Sequence, residues 1–265
     1  MSTPGPGSAV RGTADEANRY SRRSLERSEA IYGPDSQSPG GLVAVAEFSR
    51  KLDLRPGMRV LDLGSGLGGA AFHLAQTYAA QVVGVDASAD CVTLSRERAA
   101  ARGIANVRFE HADICSVDFA DGSFDLVWSR DVVACIADKA RVFGNAYRWL
   151  GPDGRLFVTD FCRRSGPLSE EFRSYVEVCG YHLQDLSDYV ATLEAAGFRQ
   201  IEAQDLTHSL AAWMRRERDA LLRRRAEFCE RFGASDFEVM LDRWSAKTEF
   251  CEQHQLVWGH YQAVK

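Results

Sequence analysis

The stretch Val60-Leu61-Asp62-Leu63-Gly64-Ser65-Gly66-Leu67-Gly68-Gly69 sets a carboxylate and closely spaced glycines directly after an apolar run. Glycines there let backbone N–H groups approach a ligand at the start of a helix. Taken as Gly64, Gly66 and Gly69, the spacing is that of a dinucleotide-binding turn. Taken as Asp62, Gly64, Gly66 and Gly68, it puts a carboxylate beside the loop, which opposes a pyrophosphate and favours a ligand with positive charge. Asp86 closes a second apolar run about twenty positions on, where an acid binds ribose hydroxyls in either kind of ligand. Asp113-Ile114 follow a third run. They suit an adenine, with the carboxylate on the exocyclic amine and the aliphatic side chain on the ring; a helix cap or loop acid is the other reading of Asp113.

These residues need elements to hold them. Apolar runs at 59–63, 81–86, 107–110, 124–128 and 155–160 read as strands, alternating with helical patterns at 70–78, 88–102 and 137–150. Ser88 is placed to cap the second of these helices, and Gly151-Pro152 to stop the third. Such alternation predicts a mainly parallel sheet with helices on both faces and a ligand at the carboxyl ends of the strands. Helices are expected at 15–30 and 41–52 ahead of the sheet, with Ile31-Tyr32-Gly33-Pro34 between them. Beyond it, helices are expected at 168–178 and 187–196, a strand at 199–206, one long helix at 211–232 and a last strand at 257–264. The Pro-, Gly- and Ser-rich residues 1–14 read as a disordered tail. Residues 15–265 read as one domain: lid helices at 15–54, a ligand-binding core at 58–160, and cap helices with late strands at 165–250.

Composition narrows the classes. The 265 residues are 45% hydrophobic and 26% charged, with a net charge of −5, an ordinary globule without the basic footprint of a nucleic-acid binder. The arginines at 215–216 and 223–225 read as a solvated helix face. The seven cysteines form no C-x-x-C pair and read as reduced thiols, with no clustered zinc ligands. No apolar stretch is long enough for a membrane span or a signal peptide. The expectation is a cytoplasmic monomer or homodimer with a small-molecule substrate, no metal, no nucleic acid and no membrane.

Asp62-x-Gly64-x-Gly66-x-Gly68, Asp86, Asp113-Ile114 and Phe124-Asp125-Leu126-Val127 resemble, in order and spacing, the successive motifs of class I S-adenosylmethionine-dependent methyltransferases over residues 58–160. The resemblance implies a Rossmann-like α/β fold. Its sheet is seven-stranded and mainly parallel, with an N-terminal helical lid and an inserted helical cap. It also implies S-adenosylmethionine as cofactor, whose sulfonium and ammonium suit Asp62. The flanks are similar to the phosphoethanolamine N-methyltransferases: Tyr20, Ile31-Tyr32-Gly33, Ser38-Pro39-Gly40-Gly41, Trp128-Ser129-Arg130-Asp131, Arg243 to Lys247 and Trp258-Gly259-His260-Tyr261. Enzymes that methylate sarcosine and dimethylglycine share many of these features. The cofactor residues so implied are Ser38, Asp62, Gly64, Ser65, Gly66, Gly68, Asp86, Ala87, Asp113, Ile114, Ser129 and Arg130. The substrate residues are Tyr20, Asp131, Tyr175, Tyr181 and Lys247, together with three positions that depart from the family pattern. Cys135 stands where that family has a His, Phe161 where it has a Tyr, and Cys179 where an Arg would grip phosphate.

The expected reaction is methyl transfer to a small polar molecule, at an amine nitrogen. Asp131 is expected to bind the substrate ammonium and Tyr20 to close the lid. Proton loss then goes to water or Asp131, with His182 as an alternative base. The departures remove an imidazole, a hydroxyl and a bidentate cation, which points away from phosphoethanolamine itself. The rival readings are an O-, S- or C-methyltransferase of a secondary metabolite, an S-adenosylmethionine-dependent cyclisation, and a cofactor-binding protein without turnover.

Overall fold

The computed structural model describes residues 20–265; the tail expected at 1–14 and positions 15–19 of the helix expected at 15–30 lie outside them, and that helix begins only at Arg22, behind the Ser21 cap, and runs on to Tyr32. Two helices come first, α1 (Arg22–Tyr32) and α2 (Gly41–Ser49). The alternating part follows: β1 (Arg59–Leu63), α3 (Gly69–Tyr78), β2 (Gln81–Asp86), α4 (Ala89–Ala101), β3 (Val107–His111) and β4 (Phe124–Arg130). After a 3-10 turn at Val133–Cys135 come α5 (Lys139–Trp149) and β5 (Leu150–Arg163). The rest is α6 (Glu170–Cys179), α7 (Leu186–Ala195), β6 (Arg199–Asp205), α8 (Thr207–Arg223), α9 (Arg225–Phe232), α10 (Ala234–Glu252) and β7 (Leu256–Val264).

The strands form a seven-stranded sheet in the order β3-β2-β1-β4-β5-β7-β6. The pairs from β3 to β5 are parallel, and β7 runs antiparallel to both β5 and β6. Strands buried on both faces need apolar side chains throughout, so β1 and β2 carry near-continuous runs rather than an alternating pattern. The chain winds outward from β1 in one direction and from β4 in the other. A crevice therefore opens between their carboxyl ends.

Each face of the sheet has its own core. On one, Trp128 stacks on Phe157 with centroids 4.1 Å apart, and Phe48 of α2 packs against Phe157, Trp258 and His260 at 5.4, 5.8 and 5.7 Å. On the other, Tyr189 of α7 stacks on Tyr261 of β7 at 4.2 Å, and Trp149 ends α5 fully buried. Ser21 caps α1 and Ser88 caps α4, each accepting a backbone N–H in the first turn.

Three expectations need correction. The long helix expected at 211–232 is two helices, broken at Arg224 (φ −102°, ψ 21°). The break turns α9 so that Phe228 meets both Phe232 of α9 and Phe237 of α10, packing that helical periodicity did not foresee. β5 extends from Leu150 rather than starting at 155, because Gly151-Pro152 ends α5 without ending the extended backbone, and Phe124 pairs with Leu150. The segment 234–252, which had no assigned element, is the 19-residue helix α10.

Phe48 fastens α2 and the loop before it to the sheet. Phe48→Ala should cost about 3–5 kcal/mol of stability, read as a lowered urea midpoint at unchanged slope. A loss below about 1 kcal/mol would show that α2 is held by other contacts.

Candidate active site

A cavity of about 740 Å³ occupies the crevice, walled by strand ends, by α1 and by α6, α8 and α10 of the cap. Of the residues expected to hold the cofactor, Asp62, Gly64, Ser65, Gly66, Asp86, Ala87, Asp113, Ile114, Arg130 and Ser38 line it. Gly68 and Ser129 do not. Gly68 sits at φ +87° at the start of α3, where a Cβ would come within 2.9 Å of Phe109 and Phe72; its role is packing. Ser129 lies inside β4 rather than after it, and successive strand residues face opposite ways. Trp128 and Arg130 therefore reach the cavity while Ser129 donates to the Leu63 carbonyl at 3.0 Å.

The glycine loop is shaped by its neighbours. A Cβ on Gly64 (φ +71°) would meet Val132 at 2.2 Å, and one on Gly66 (φ +52°) would meet Gln37 Oε1 at 2.5 Å. Asp86 accepts from the Gly66 and Ser88 amides, both at 2.8 Å. Asp62 is 2% exposed and its Oδ2 has no hydrogen-bond partner among the described residues. Burial, with the like charge of Asp86 second, raises its pKa to about 7; Arg130 offsets this only in part. Asp113 uses Oδ1 on the Cys115 amide at 2.8 Å, the loop role weighed above, while still facing the cavity.

Arg130 is buried at the end of β4. Its guanidinium donates to the carbonyls of Pro39 at 2.9 Å and Gly41 at 3.4 Å, and lies 3.8 Å from Asp131 Oδ2. Glu217 of α8 grips the same loop from the cap, accepting from the Gly40 amide at 2.7 Å. Burial pushes Glu217 up to about 7. The loop that closes one end of the cavity is thus tied to the sheet and to the cap.

The residues expected to meet substrate, namely Tyr20, Asp131, Cys135, Phe161, Tyr175, Cys179, Tyr181 and Lys247, all line the cavity. Asp131 takes a left-handed backbone (φ 59°), which Asp tolerates better than most residues. Its Oδ1 accepts from Trp258 Nε1 at 2.7 Å and from Thr159 Oγ1 at 3.1 Å, and its buried Oδ2, 3.8 Å from Arg130, accepts no hydrogen bond among the described residues. Lys247 holds its Nζ 4.0 Å from the centre of the Phe161 ring and 5.9 Å from that of Tyr181. Burial lowers its pKa. Tyr175 and Tyr181 pack edge-on at 6.2 Å, and Tyr181 lies 5.8 Å from Phe161.

Cys135 rides on the 3-10 turn, and that turn is held from beneath. Buried Asp160 accepts from the Ala134 amide at 2.9 Å and from the Tyr189 hydroxyl at 3.1 Å. Lys139, itself 4% exposed, donates to the carbonyls of Val133 and Ile136. His182, the alternative base, is exposed and does not line the cavity; its backbone amide bonds to the Ala134 carbonyl.

Several cavity residues were not expected at the site: Arg27 and Gln37, which carried no motif, and Tyr32, Trp128, Arg243 and Trp244, which stood only in segments similar to the family. One signal was available. Tyr20, Ser24, Ser28 and Tyr32 recur every four residues, one face of a helix, and all line the cavity. Trp258, Thr159 and Glu217 had no such signal, since they act from behind the wall.

Comparison with known proteins agrees with this geometry. The family model described as "Methyltransferase domain" matches residues 54–212. A phosphoethanolamine N-methyltransferase of Triticum aestivum is 36% identical over 93% of the chain and 49% of its own length, so the chain spans about half of that relative. The phosphoethanolamine N-methyltransferase of Plasmodium falciparum is 30% identical over 94% of both proteins. The solved structure of a Haemonchus contortus phosphoethanolamine N-methyltransferase 2, with phosphomonomethylethanolamine and S-adenosylhomocysteine bound, superposes with a TM-score of 0.92 at 28% identity, covering 95% of this chain and 59% of that one. A fold built around a buried strand-end carboxylate and a glycine loop thus has a family: the chain belongs to the class I S-adenosylmethionine-dependent methyltransferases, among the phosphoethanolamine N-methyltransferases.

Proposed function

We propose that the chain transfers the methyl group of S-adenosylmethionine to the nitrogen of a small amine that also carries an anionic group. One observation carries this reading. The same cavity presents a carboxylate oxygen, Asp131 Oδ2, that accepts no hydrogen bond among the described residues and has only Arg130 near it at 3.8 Å, and a half-buried ammonium, Lys247, with which no carboxylate of the described residues forms an ion pair. Buried charges demand opposite charge. The open oxygen of Asp131 suits an ammonium and Lys247 suits an anion, so a zwitterion fits both. A neutral O-, S- or C-nucleophile would use at most a hydrogen bond to Asp131 and neither charge, which disfavours the tailoring and cyclisation readings.

The cofactor residues fit S-adenosylmethionine: the unpartnered Asp62 Oδ2 suits its ammonium and sulfonium, and the loop around Gly66 leaves backbone exposed to the cavity. When bound, the cofactor supplies a methyl group already activated by sulfonium charge. The chain's own task is to align the amine and exclude water. A free primary amine has a pKa near ~10, so it must lose a proton before attack. Asp131 holds the ammonium, and the proton leaves to Asp131 or to water. Tyr20 and α1 cover the site. Small-molecule use is supported by the arginine runs as well. Arg215 pairs with Glu252 at 2.9 Å, Arg225 with Glu238 at 2.8 Å, and Arg224 binds the Ala30 carbonyl, so these cations brace the cap. In this reading residues 15–265 work as one methyltransferase domain, cytoplasmic and monomeric or homodimeric.

Lys247 faces Phe161 and Cys179 where the related enzymes' pattern has a hydroxyl and a guanidinium. The single charge of one ammonium balances a monoanion such as a carboxylate, whereas a phosphate dianion there would keep a charge uncompensated. Mass spectrometry of products from phosphoethanolamine, its methylated forms, glycine, sarcosine and dimethylglycine tests this. An amine gaining a methyl group is the expected result; S-adenosylmethionine binding with no methylated amine overturns the reading. Installing Phe161→Tyr with Cys179→Arg should raise kcat/KM for phosphoethanolamine about tenfold or more, the worth of one charge-assisted hydrogen bond.

Asp62 sets a pH dependence on cofactor binding. Its pKa of about 7 means the carboxyl is neutral below pH 7 in the empty site. The ionised form is the one that pairs with the cofactor's cationic groups. Affinity for S-adenosylmethionine should therefore be full above about pH 7 and weaken towards tenfold per pH unit below it. Calorimetric titration of the wild type and of Asp62→Asn checks this; the variant should bind weakly with little pH dependence.

A further inference from the structure

The carboxylate proposed to receive the amine does not hold itself in place. Asp131 sits one residue past the end of β4 in a left-handed conformation (φ 59°), a backbone that costs on the order of 1 kcal/mol or more unless its surroundings fix it. Its amide donates to the Thr159 carbonyl at 2.7 Å, and the Thr159 hydroxyl donates back to Oδ1 at 3.1 Å. The indole Nε1 of Trp258 donates to the same oxygen at 2.7 Å. Thr159 lies in β5, next to Arg130 in the β4–β5 ladder, and Trp258 lies in β7 opposite Phe161. Both are fully buried.

We infer that Trp258 and Thr159 are positioning residues for the methyl-accepting amine: they take up Oδ1 of Asp131 and leave Oδ2 as the one oxygen presented to the substrate. The inference rests on reading Asp131 as the ammonium-binding carboxylate. The physical case is that two donors on one oxygen fix the plane of the carboxylate. An amine bound to the remaining oxygen is then held along one direction, as in-line attack on a methyl group requires. Trp258 is itself well anchored. Its ring packs on Phe48 at 5.8 Å and Trp213 at 5.6 Å, its amide donates to Thr207 Oγ1 at 2.9 Å, and its carbonyl accepts from Leu206 at 2.8 Å. The indole therefore transmits the rigidity of the sheet's antiparallel part to a residue on its parallel part.

The test has a spectroscopic arm and a kinetic arm. With five tryptophans in the chain, the indole N–H region of an amide-proton correlation spectrum is readable, and Trp258→Phe identifies its signal by deletion. That signal should lie downfield, as for a short bond to a carboxylate, and move upfield in Asp131→Ala. An indole signal indifferent to Asp131→Ala overturns the inference. In the kinetic arm, Thr159→Val keeps the shape of the side chain and removes the hydroxyl, whereas Thr159→Ser keeps the hydroxyl. Thr159→Val should raise KM for the amine about tenfold with S-adenosylmethionine affinity within about twofold, and Thr159→Ser should restore it. Equal losses of amine and cofactor affinity would mark Thr159 as merely structural and overturn its part. If no amine is methylated, the proposed reaction falls, while the indole signal still decides whether Trp258 holds Asp131.

Discussion

The site depends on one buried guanidinium. Arg130 stands at the end of the central strand β4, where its charge has no water to relieve it. Burial lowers its pKa, and Asp131, Asp62 and Glu217 restore the charged form. In return it fixes the carbonyl of Pro39 in the loop between α1 and α2 and that of Gly41 at the start of α2. The lid, the cofactor loop and the cap helix α8 are thereby referred to a single point on the sheet. Without that cation, acids at the ends of β1 and β4 and on α8 would face one another unscreened in a low-dielectric cavity.

The sheet was legible because parallel strands buried on both faces announce themselves as apolar runs, and because helix stops and caps such as Gly151-Pro152 and Ser88 are local chemistry. The cofactor side was legible for the same reason: Asp62, Gly64, Gly66 and Asp86 sit at strand ends at fixed spacing. What was lost is what tertiary packing decides. The break at Arg224 has no glycine or proline to mark it, and α10 has no side-chain cap at its start. Ser129 was misplaced by a single residue, since a strand that runs one turn of the pleat longer sends that side chain to the opposite face. Trp258 and Thr159 reach Asp131 from strands far along the chain, and nothing in their spacing says so.

On the substrate side, Phe161 and Cys179 put apolar and weakly polar groups around Lys247, and the 3-10 turn presents the Cys135 thiol to the cavity. Behind that wall stand Asp160 under the turn, Trp258 and Thr159 behind Asp131, and Glu217 behind the loop. The former lie on the cavity surface, and the supports lie one layer out.

The 3-10 turn shows what that layering permits. Its backbone is gripped by Asp160 and Lys139 through main-chain atoms only, an amide and two carbonyls. No side chain of the turn takes part in those bonds. The side chain at residue 135 can therefore be exchanged without moving the wall that carries it. The turn behaves as a socket. Within this architecture the chemistry offered at that place is inherited separately from the fold, and a new substrate can be reached by one codon rather than by rebuilding the cavity.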